Sequence, residues 1–361
     1  MKMPIDVLRE EIQKSGAISF ARFMEAALYC PETGYYESNK DNVGHAGDFI
    51  TSVSVGELFG HLLAFQFAEW LERLPPAQGR WRIMEAGAHD GKLAHDILAW
   101  LQIHRPELFS QIEYAIIEPS ARRKVWQQER LAEFSNVRWL SEIPDAAAPR
   151  LNGILFGNEL LDAFPIHRFG WDARKKCWFE WGVTCKGERL VWTKLAGSAS
   201  GGGPCDLPEE LLAVLPDNYT VETAPAAENW WRKAAGLLGA GKLVAIDYGF
   251  TEEERISPSR QNGTLRAYYR HRVSDDVLAN VGEQDLTAHV NFSAIQKIGE
   301  AAGWQTDSFS PQSQWLTRII EKALKHPAAF GEFGPKQIRQ FQMLTHPEHL
   351  GRAFRVLIQS R

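Results

Sequence analysis

Apolar positions at helical spacing open the chain. In ISFARFMEAALYC, Phe20, Phe23, Met24, Ala27 and Leu28 share one side of a 3.6-residue period, and Ser19 stands where an N-cap belongs. Pro31 and Gly34 break that run. After the glycine-containing VGHAGDFITS, a second amphipathic helix is predicted through GELFGHLLAFQFAEWLERL, ending at Pro75 and Pro76. From Trp81 the rhythm changes to short apolar runs alternating with longer helical stretches. WRIMEAG reads as a strand, DGKLAHDILAWLQIH as a helix, EYAIIE as a strand, PSARRKVWQQERLAEF as a helix and NGILFGNEL as a third buried strand. Such alternation predicts βα units, hence an α/β fold with a doubly wound, Rossmann-like, mainly parallel sheet.

Two stretches interrupt the alternation. Residues 165–219 contain HRFGWD, KCWFEWGVTC and RLVWTKLA, which look like antiparallel strands, followed by the flexible GSASGGGP; they are expected to form a strand-rich insertion. Helical AAENWWRKAAGLLGAG and the buried strand KLVAIDYGF then resume the pattern. Residues 251–290 read as a long polar loop, a length that a compact domain carries where it has a binding task. A helix, NFSAIQKIGEAAGW, and a last strand, AFRVLIQS, follow. The expected organisation is an N-terminal helical extension, 1–80, and an α/β domain, 81–361, with insertions at about 165–219 and 251–290. These additions make up nearly half of the chain, which leaves room for an acceptor as large as a folded protein.

With 44% hydrophobic and 24% charged residues, the composition is that of an ordinary soluble globular protein and excludes fibrous and disordered classes. The net charge is −5, with no long block of one sign, which argues against a nucleic-acid partner. No apolar run approaches the roughly 20 residues of a membrane span, and MKMPIDVLREEIQKSG turns acidic before any apolar leader segment, so a cytoplasmic protein without a membrane partner is expected. Cys30, Cys177, Cys185 and Cys205 lack zinc-site spacing and are expected to be reduced thiols. His346 and His349 flank Glu348 without a third ligand, so no metal is expected. Trp171, Trp178, Trp181 and Trp192 fall in the strand-rich region and are read as sheet packing.

The chemistry is densest in IMEAGAHDG, where the first strand turns into a helix. Gly87 and Gly91 suit a backbone that must approach a ligand at a helix N-terminus. A pyrophosphate would want G-x-G-x-x-G and no carboxylate beside it, whereas this chain has G-x-x-x-G with Glu85 before the first glycine and Asp90 next to the second. Those acids suit a cationic ligand without phosphate. S-adenosylmethionine, with its ammonium, sulfonium and ribose, is such a ligand. Glu118, at the end of the second strand, can accept both ribose hydroxyls. Asn158, Glu159 and Asp162 lie where the third strand meets a loop, at the edge of the sheet where ligand crevices form; Asn158 and Glu159 could face either cofactor or acceptor, and Asp162 could equally cap a turn. Asp48 and Glu222 are lone acids beside loops or helix starts, with a capping role as the simpler reading.

Read in succession, ISFARFMEAALYCPETGYY, GDFITS, LFGHLLA, EAGAHDGKLAHDIL, YAIIEPS, GNELLDAFPIHRF, VAIDYGF, GTLRAYYRHR and DLTAHVNFSAI resemble the MidA-like family of S-adenosylmethionine-dependent methyltransferases, over residues 18 to 292. The resemblance implies a seven-strand methyltransferase core and a protein arginine N-methyltransferase carrying out symmetric dimethylation. It also implies a protein substrate that presents an arginine, a respiratory complex I subunit among the candidates. Glu85, Gly87, Asp90 and Gly91 would then belong to the cofactor loop, with Glu118 as the ribose acid and Asn158 and Thr51 beside the cofactor. Asp48, Thr51 and Ser52 match the GDFITS segment. Glu159 is expected to grip the guanidinium, with Glu222 and Asp48 next, because an arginine is planar, always charged and donor-only; His289 is a candidate proton relay. The chain departs from the family at His89, where a glycine is usual, and at Val53 and Ser54, where proline and glutamate are usual. His89 motivates the alternative of a catalytically silent assembly factor that binds a protein partner. An NAD-dependent oxidoreductase is disfavoured by Glu85 and Asp90. Whether copies of the chain associate stays open.

Overall fold

The computed structural model describes residues 2–38, 51–74, 79–144, 151–195, 203–205, 207–270, 272–331, 333–347, 350–351 and 353–361. The chain begins with helix Pro4–Ser15, strand β1 (Ile18–Ser19) and helix Phe20–Tyr29. Ser19 caps the latter, its Oγ accepting from the Arg22 N–H at 3.2 Å, and Phe20, Phe23, Met24, Ala27 and Leu28 are all buried. Helix Leu58–Leu71 differs from the amphipathic expectation. Residues on every side of it are buried, so it is a core helix.

There follow β2 (Trp81–Ala86), helix Lys92–His104, β3 (Ile112–Ile117), helix Ala121–Arg130, β4 (Val137–Leu140) and β5 (Leu151–Asn158). The strand-rich stretch supplies β6 (His167–Asp172), β7 (Cys177–Lys186), β8 (Arg189–Lys194) and β9 (Thr220–Thr223). Helix Pro225–Leu237 leads into β10 (Leu238–Phe250), then β11 (Arg266–Tyr269), β12 (Arg272–Ser274), β13 (Asp285–Thr287) and β14 (Val290–Asn291). Helix Phe292–Ala301, β15 (Gln305–Pro311), helices Gln312–Lys325 and Pro335–Thr345, and β16 (Phe354–Ser360) complete the order.

The central sheet runs β15-β16-β10-β5-β2-β3-β4, with the two-residue β14 added beside β10. From β10 to β4 the neighbours are parallel, while β16 is antiparallel to both β10 and β15, so the sheet is mixed. Alternation drives its two faces apart. Ile83, Tyr114, Phe156 and Val244 join one core with the Leu58–Leu71, Lys92–His104 and Gln312–Lys325 helices, and Met84, Ala115, Leu155 and Leu243 join another with the Pro225–Leu237 and Phe292–Ala301 helices. The chain steps outward from β2 to β3 and β4 and returns to the other side of β2 as β5. That reversal opens a crevice beyond the C-terminal ends of β2 and β5, the place where such sheets bind ligands.

The added regions form structures of their own. A second sheet has the order β1-β7-β6-β9, with β8 on β7, and Ile18 pairs across to Val183. Residues 251–290, read as a loop, hold the short helix Glu252–Arg255 and a three-stranded antiparallel sheet, β12-β11-β13. Strands of three or four residues are too short for periodicity to reveal them. Leu265, Ala267, Leu278 and Leu286 of that sheet region pack with Leu8, Phe20, Phe23 and Leu28 of the first helices, giving the two additions a common core.

Candidate active site

At the end of β2, Gly87 has φ +76°, and a Cβ there would lie 3.1 Å from Leu160 Cδ1. Gly91 (φ +84°) stands at the N-cap of helix Lys92–His104, with Gln127 Cα 3.4 Å from where its Cβ would be. His89, between them, takes the left-handed conformation (φ +48°) that a glycine would adopt more easily. Glu85 is buried, with Tyr114 Oη donating to its Oε2 at 2.6 Å, and burial pushes its carboxyl up to about 8. Asp90 behaves in the opposite way. Burial works to raise it, but the His89 ring, the Lys92 N–H at 3.0 Å and Arg130 at 2.6 Å hold it down at about 2.

Glu118 lies just beyond β3. Its Oε1 accepts from the Ser120 N–H at 2.9 Å and its Oε2 from Gln127 Nε2 at 2.8 Å; burial raises its pKa against those donors.

Beyond β5 the backbone is strained again, with Glu159 at φ +53°. Its N–H donates to Ile246 O at 2.9 Å. The turn that follows, Leu161–Ala163, is capped from β10, where Asp247 Oδ2 accepts the N–H groups of Leu160, Leu161 and Asp162 at 3.1, 2.7 and 3.3 Å. Burial, with the Asp247 carboxylate beside it, pushes Glu159 up to about 8 against the Asn158 amide and the Ser52 N–H. Burial and the Asp247, Asp285 and Glu159 carboxylates raise Asp162 as well. Asn158 donates from Nδ2 to Glu159 Oε1 at 3.1 Å, and its buried Oδ1 has no hydrogen-bond partner among the described residues.

These elements surround a cavity of about 850 Å³, which brings together Thr51, Glu85, Gly87, Asp90, Glu118, Asn158, Glu159, Asp162 and His289. Thr51 is held by a reciprocal pair with Ser54, N–H to Oγ at 2.9 Å and back at 3.1 Å. Gly91 and Glu222 are not on the wall. Glu222 instead accepts from Thr264 N–H and Oγ1, both at 2.7 Å, and from Leu265 N–H at 3.1 Å, and faces Arg168 at 3.4 Å. Through Thr264 Oγ1, which accepts the His289 N–H at 3.0 Å, it braces the histidine from behind. Burial takes the His289 ring down to about 4, so it is neutral at physiological pH. Asp48, Glu348 and His349 lie outside the described residues. Among the described residues no group of three acidic, His or Cys side chains is arranged to hold a metal, and no helix is long and apolar enough to cross a membrane.

Several wall residues escaped the reading of single segments. Asp285 accepts from Tyr36 Oη at 2.8 Å, and Tyr29 donates to Ala163 O at 2.8 Å. Tyr248 and Tyr268 line the same end. The segments VAIDYGF and DLTAHVNF carried the signal for Asp247 and Asp285, a carboxylate at the end or start of an apolar run, but nothing local joins them to Glu159. The volume suits a nucleoside cofactor together with an acceptor side chain. Orphaned Asn158 Oδ1, buried Glu85 and the diol-ready Glu118 offer acceptors to a ligand that is rich in donors and positive charge, so the residues fit S-adenosylmethionine.

Comparison with known proteins agrees. Residues 62–310 match a family described as S-adenosyl-L-methionine-dependent methyltransferases. The chain belongs to this family. S-adenosylmethionine is accordingly its cofactor, and the chain is a methyltransferase. A crystal structure of a candidate methyl transferase from Burkholderia thailandensis, bound to S-adenosyl-homocysteine, superposes with a TM-score of 0.82 at 32% identity, covering 99% of this chain and 92% of that one. Among curated relatives, the mouse protein arginine methyltransferase NDUFAF7, mitochondrial, is 26% identical, with 96% of this chain and 82% of the relative covered. The Drosophila melanogaster homologue is 26% identical, covering 97% and 83%. These names overturn the expectation of a cytoplasmic location, since each places its protein in the mitochondrion. An apolar segment is the cue for secretion only; organelle-import segments are amphipathic and basic rather than apolar, so apolar patterning carries no information about the mitochondrion.

Proposed function

We propose that the chain is a protein arginine N-methyltransferase. The observation that carries this reading is the acceptor end of the cavity, where Glu159 and Asp162, already raised by burial, are close enough to Asp285 for it to raise both further, and Tyr29, Tyr36, Tyr248 and Tyr268 line the same cavity. Carboxylates crowded in a buried space resist ionising together unless a cation joins them, and tyrosine faces favour a flat one. A guanidinium supplies the charge, the planarity and up to five N–H donors. A lysine ammonium would use fewer of these acceptors and none of the planarity. The curated relatives' names point the same way.

In this reading Glu85, Gly87, Asn158 and Glu118 hold the cofactor, with Asp90 and Gly91 shaping its loop and Thr51 at its side. When bound, it supplies an electrophilic methyl group on a good leaving group. The chain contributes placement and charge. Glu159 and Asp162 orient one guanidinium nitrogen, Asp285 steadies the other side, and the tyrosines exclude water. Glu159 gives up its proton to solvent when the guanidinium pairs with it, and the resulting carboxylate takes the proton that the methylated nitrogen releases. His289, at about 4, is too weak a base for that task and serves the wall. The additions at 1–80, 165–219 and 251–290 present the acceptor protein, a respiratory complex I subunit being one candidate, and symmetric dimethylarginine is the expected product.

The test is incubation with labelled cofactor and a host-cell lysate, followed by mass spectrometry. Label on protein arginine supports the reading. Label confined to lysine, nucleic acid or metabolites refutes it, and cofactor binding without label in any fraction favours the silent assembly factor.

A further inference from the structure

Helix Ala121–Arg130 is polar and largely exposed, yet Gln127 on it is 0% exposed. Burying an amide is unfavourable unless its bonds are made. Here they are. Nε2 donates to His89 O at 2.9 Å and to Glu118 Oε2 at 2.8 Å, and Oε1 accepts from Trp139 Nε1 at 3.0 Å. Both amide hydrogens are thus engaged by the two segments that frame the nucleoside end of the cavity, the glycine loop and the tip of β3. Gln127 is not among the residues lining the cavity. Gly91 packs onto its Cα, and the strained His89 presents its carbonyl to it.

The Glu118 carboxylate shows what this achieves. Ser120 N–H occupies one lone pair on Oε1 and Gln127 one on Oε2, which leaves one acceptor site on each oxygen for a vicinal diol. We propose that Gln127 is a positioning residue for the cofactor: it fixes the Glu118 carboxylate as a two-site acceptor for the ribose and locks the glycine loop opposite, without touching the ligand. Removing the amide frees the carboxylate to rotate and deprives it of a donor that favours its ionised form. The inference needs the cofactor assignment alone and stands whatever the acceptor is.

The experiment is calorimetric binding of adenosine and of S-adenosylhomocysteine to the full chain. It compares the wild type with Gln127→Met, Glu118→Ala, the double variant and Gln127→Glu. Gln127→Met is expected to weaken both ligands about tenfold, and the double variant to lose clearly less than the product of the two single losses, because the part of the amide's effect that runs through the carboxylate is already gone in Glu118→Ala while the part that runs through the glycine loop remains. Gln127→Glu keeps the acceptor for Trp139 but sets two carboxyl groups together. Its adenosine affinity should fall with rising pH as the two neighbouring carboxyl groups ionise against each other, whereas the wild type, with one carboxyl there and an amide donor beside it, should show no such fall. Gln127→Met binding within twofold of wild type overturns the proposal, as do losses that multiply fully in the double variant. If Gln127→Met fails to fold, the Gln127→Glu profile decides, and a flat one overturns it.

Discussion

The two ends of the cavity handle carboxylates differently. At the nucleoside end, Glu118 and Asp90 have their charge supported by the protein itself, through Ser120, Gln127, Lys92 and Arg130. At the acceptor end, Glu159 and Asp162 lie among other carboxylates, and burial drives both upward. The first arrangement is preorganised for a ligand that every turnover needs in the same pose. Under the proposed function the second is incomplete until a cation arrives, so that charge complementarity itself selects the acceptor. Glu85 lies between these extremes, supported among the described residues by the Tyr114 hydroxyl.

The largest expected effect breaks the nucleoside end. Gly87→Arg places a side chain at φ +76° and against Leu160, and should abolish S-adenosylhomocysteine binding by calorimetry, a loss of at least about 100-fold. Glu159→Gln should lower arginine methylation about 100-fold while leaving S-adenosylhomocysteine affinity within about threefold. An equal fall in both would show that the two ends are not separable. The pH dependence is subtler. A carboxyl raised to about 8 is protonated below that value, and a guanidinium prefers its ionised form. Affinity for an arginine peptide, measured with S-adenosylhomocysteine present, should therefore rise up to about tenfold per unit from pH 6 to 8 and level off above. In Glu159→Gln that slope should flatten. Glu222→Gln should do least to the chemistry, with the methylation rate within about threefold of wild type. It should lower stability by about 1–2 kcal/mol in a denaturant titration, as a buried acceptor of three bonds is weakened.

The same contrast explains what was legible from the amino-acid order. Glu85, Gly87, Gly91 and Glu118 sit on strand-turn-helix units, where local periodicity dictates the geometry, and the structure places them where that periodicity implied. The parallel strands were equally readable, being apolar runs bounded by turns. The acceptor end is assembled from the tip of β5, the end of β10, β13 and the helix Phe20–Tyr29 with the turn after it, so no single segment announces it. Glu222 looked like a site acid because a lone carboxylate near a strand end carries no sign of the backbone it will brace. Gln127 was hidden for the converse reason: on a helix this polar, one glutamine has nothing to distinguish it until Trp139, His89 and Glu118 converge on it.

The position of β16 has a consequence for how the protein is made. This strand, residues 354–360, lies between β10 and β15, so until it is synthesised β10 presents an open edge of unpaired amides and carbonyls along the register that Phe354 to Ser360 will occupy. A nascent chain can build the parallel half, β2 to β5, before β16 exists, but β10, which carries the Asp247 clamp, gains its antiparallel neighbour only when β16 follows. Translation is thus the interval in which that bare edge most needs shielding from other strands.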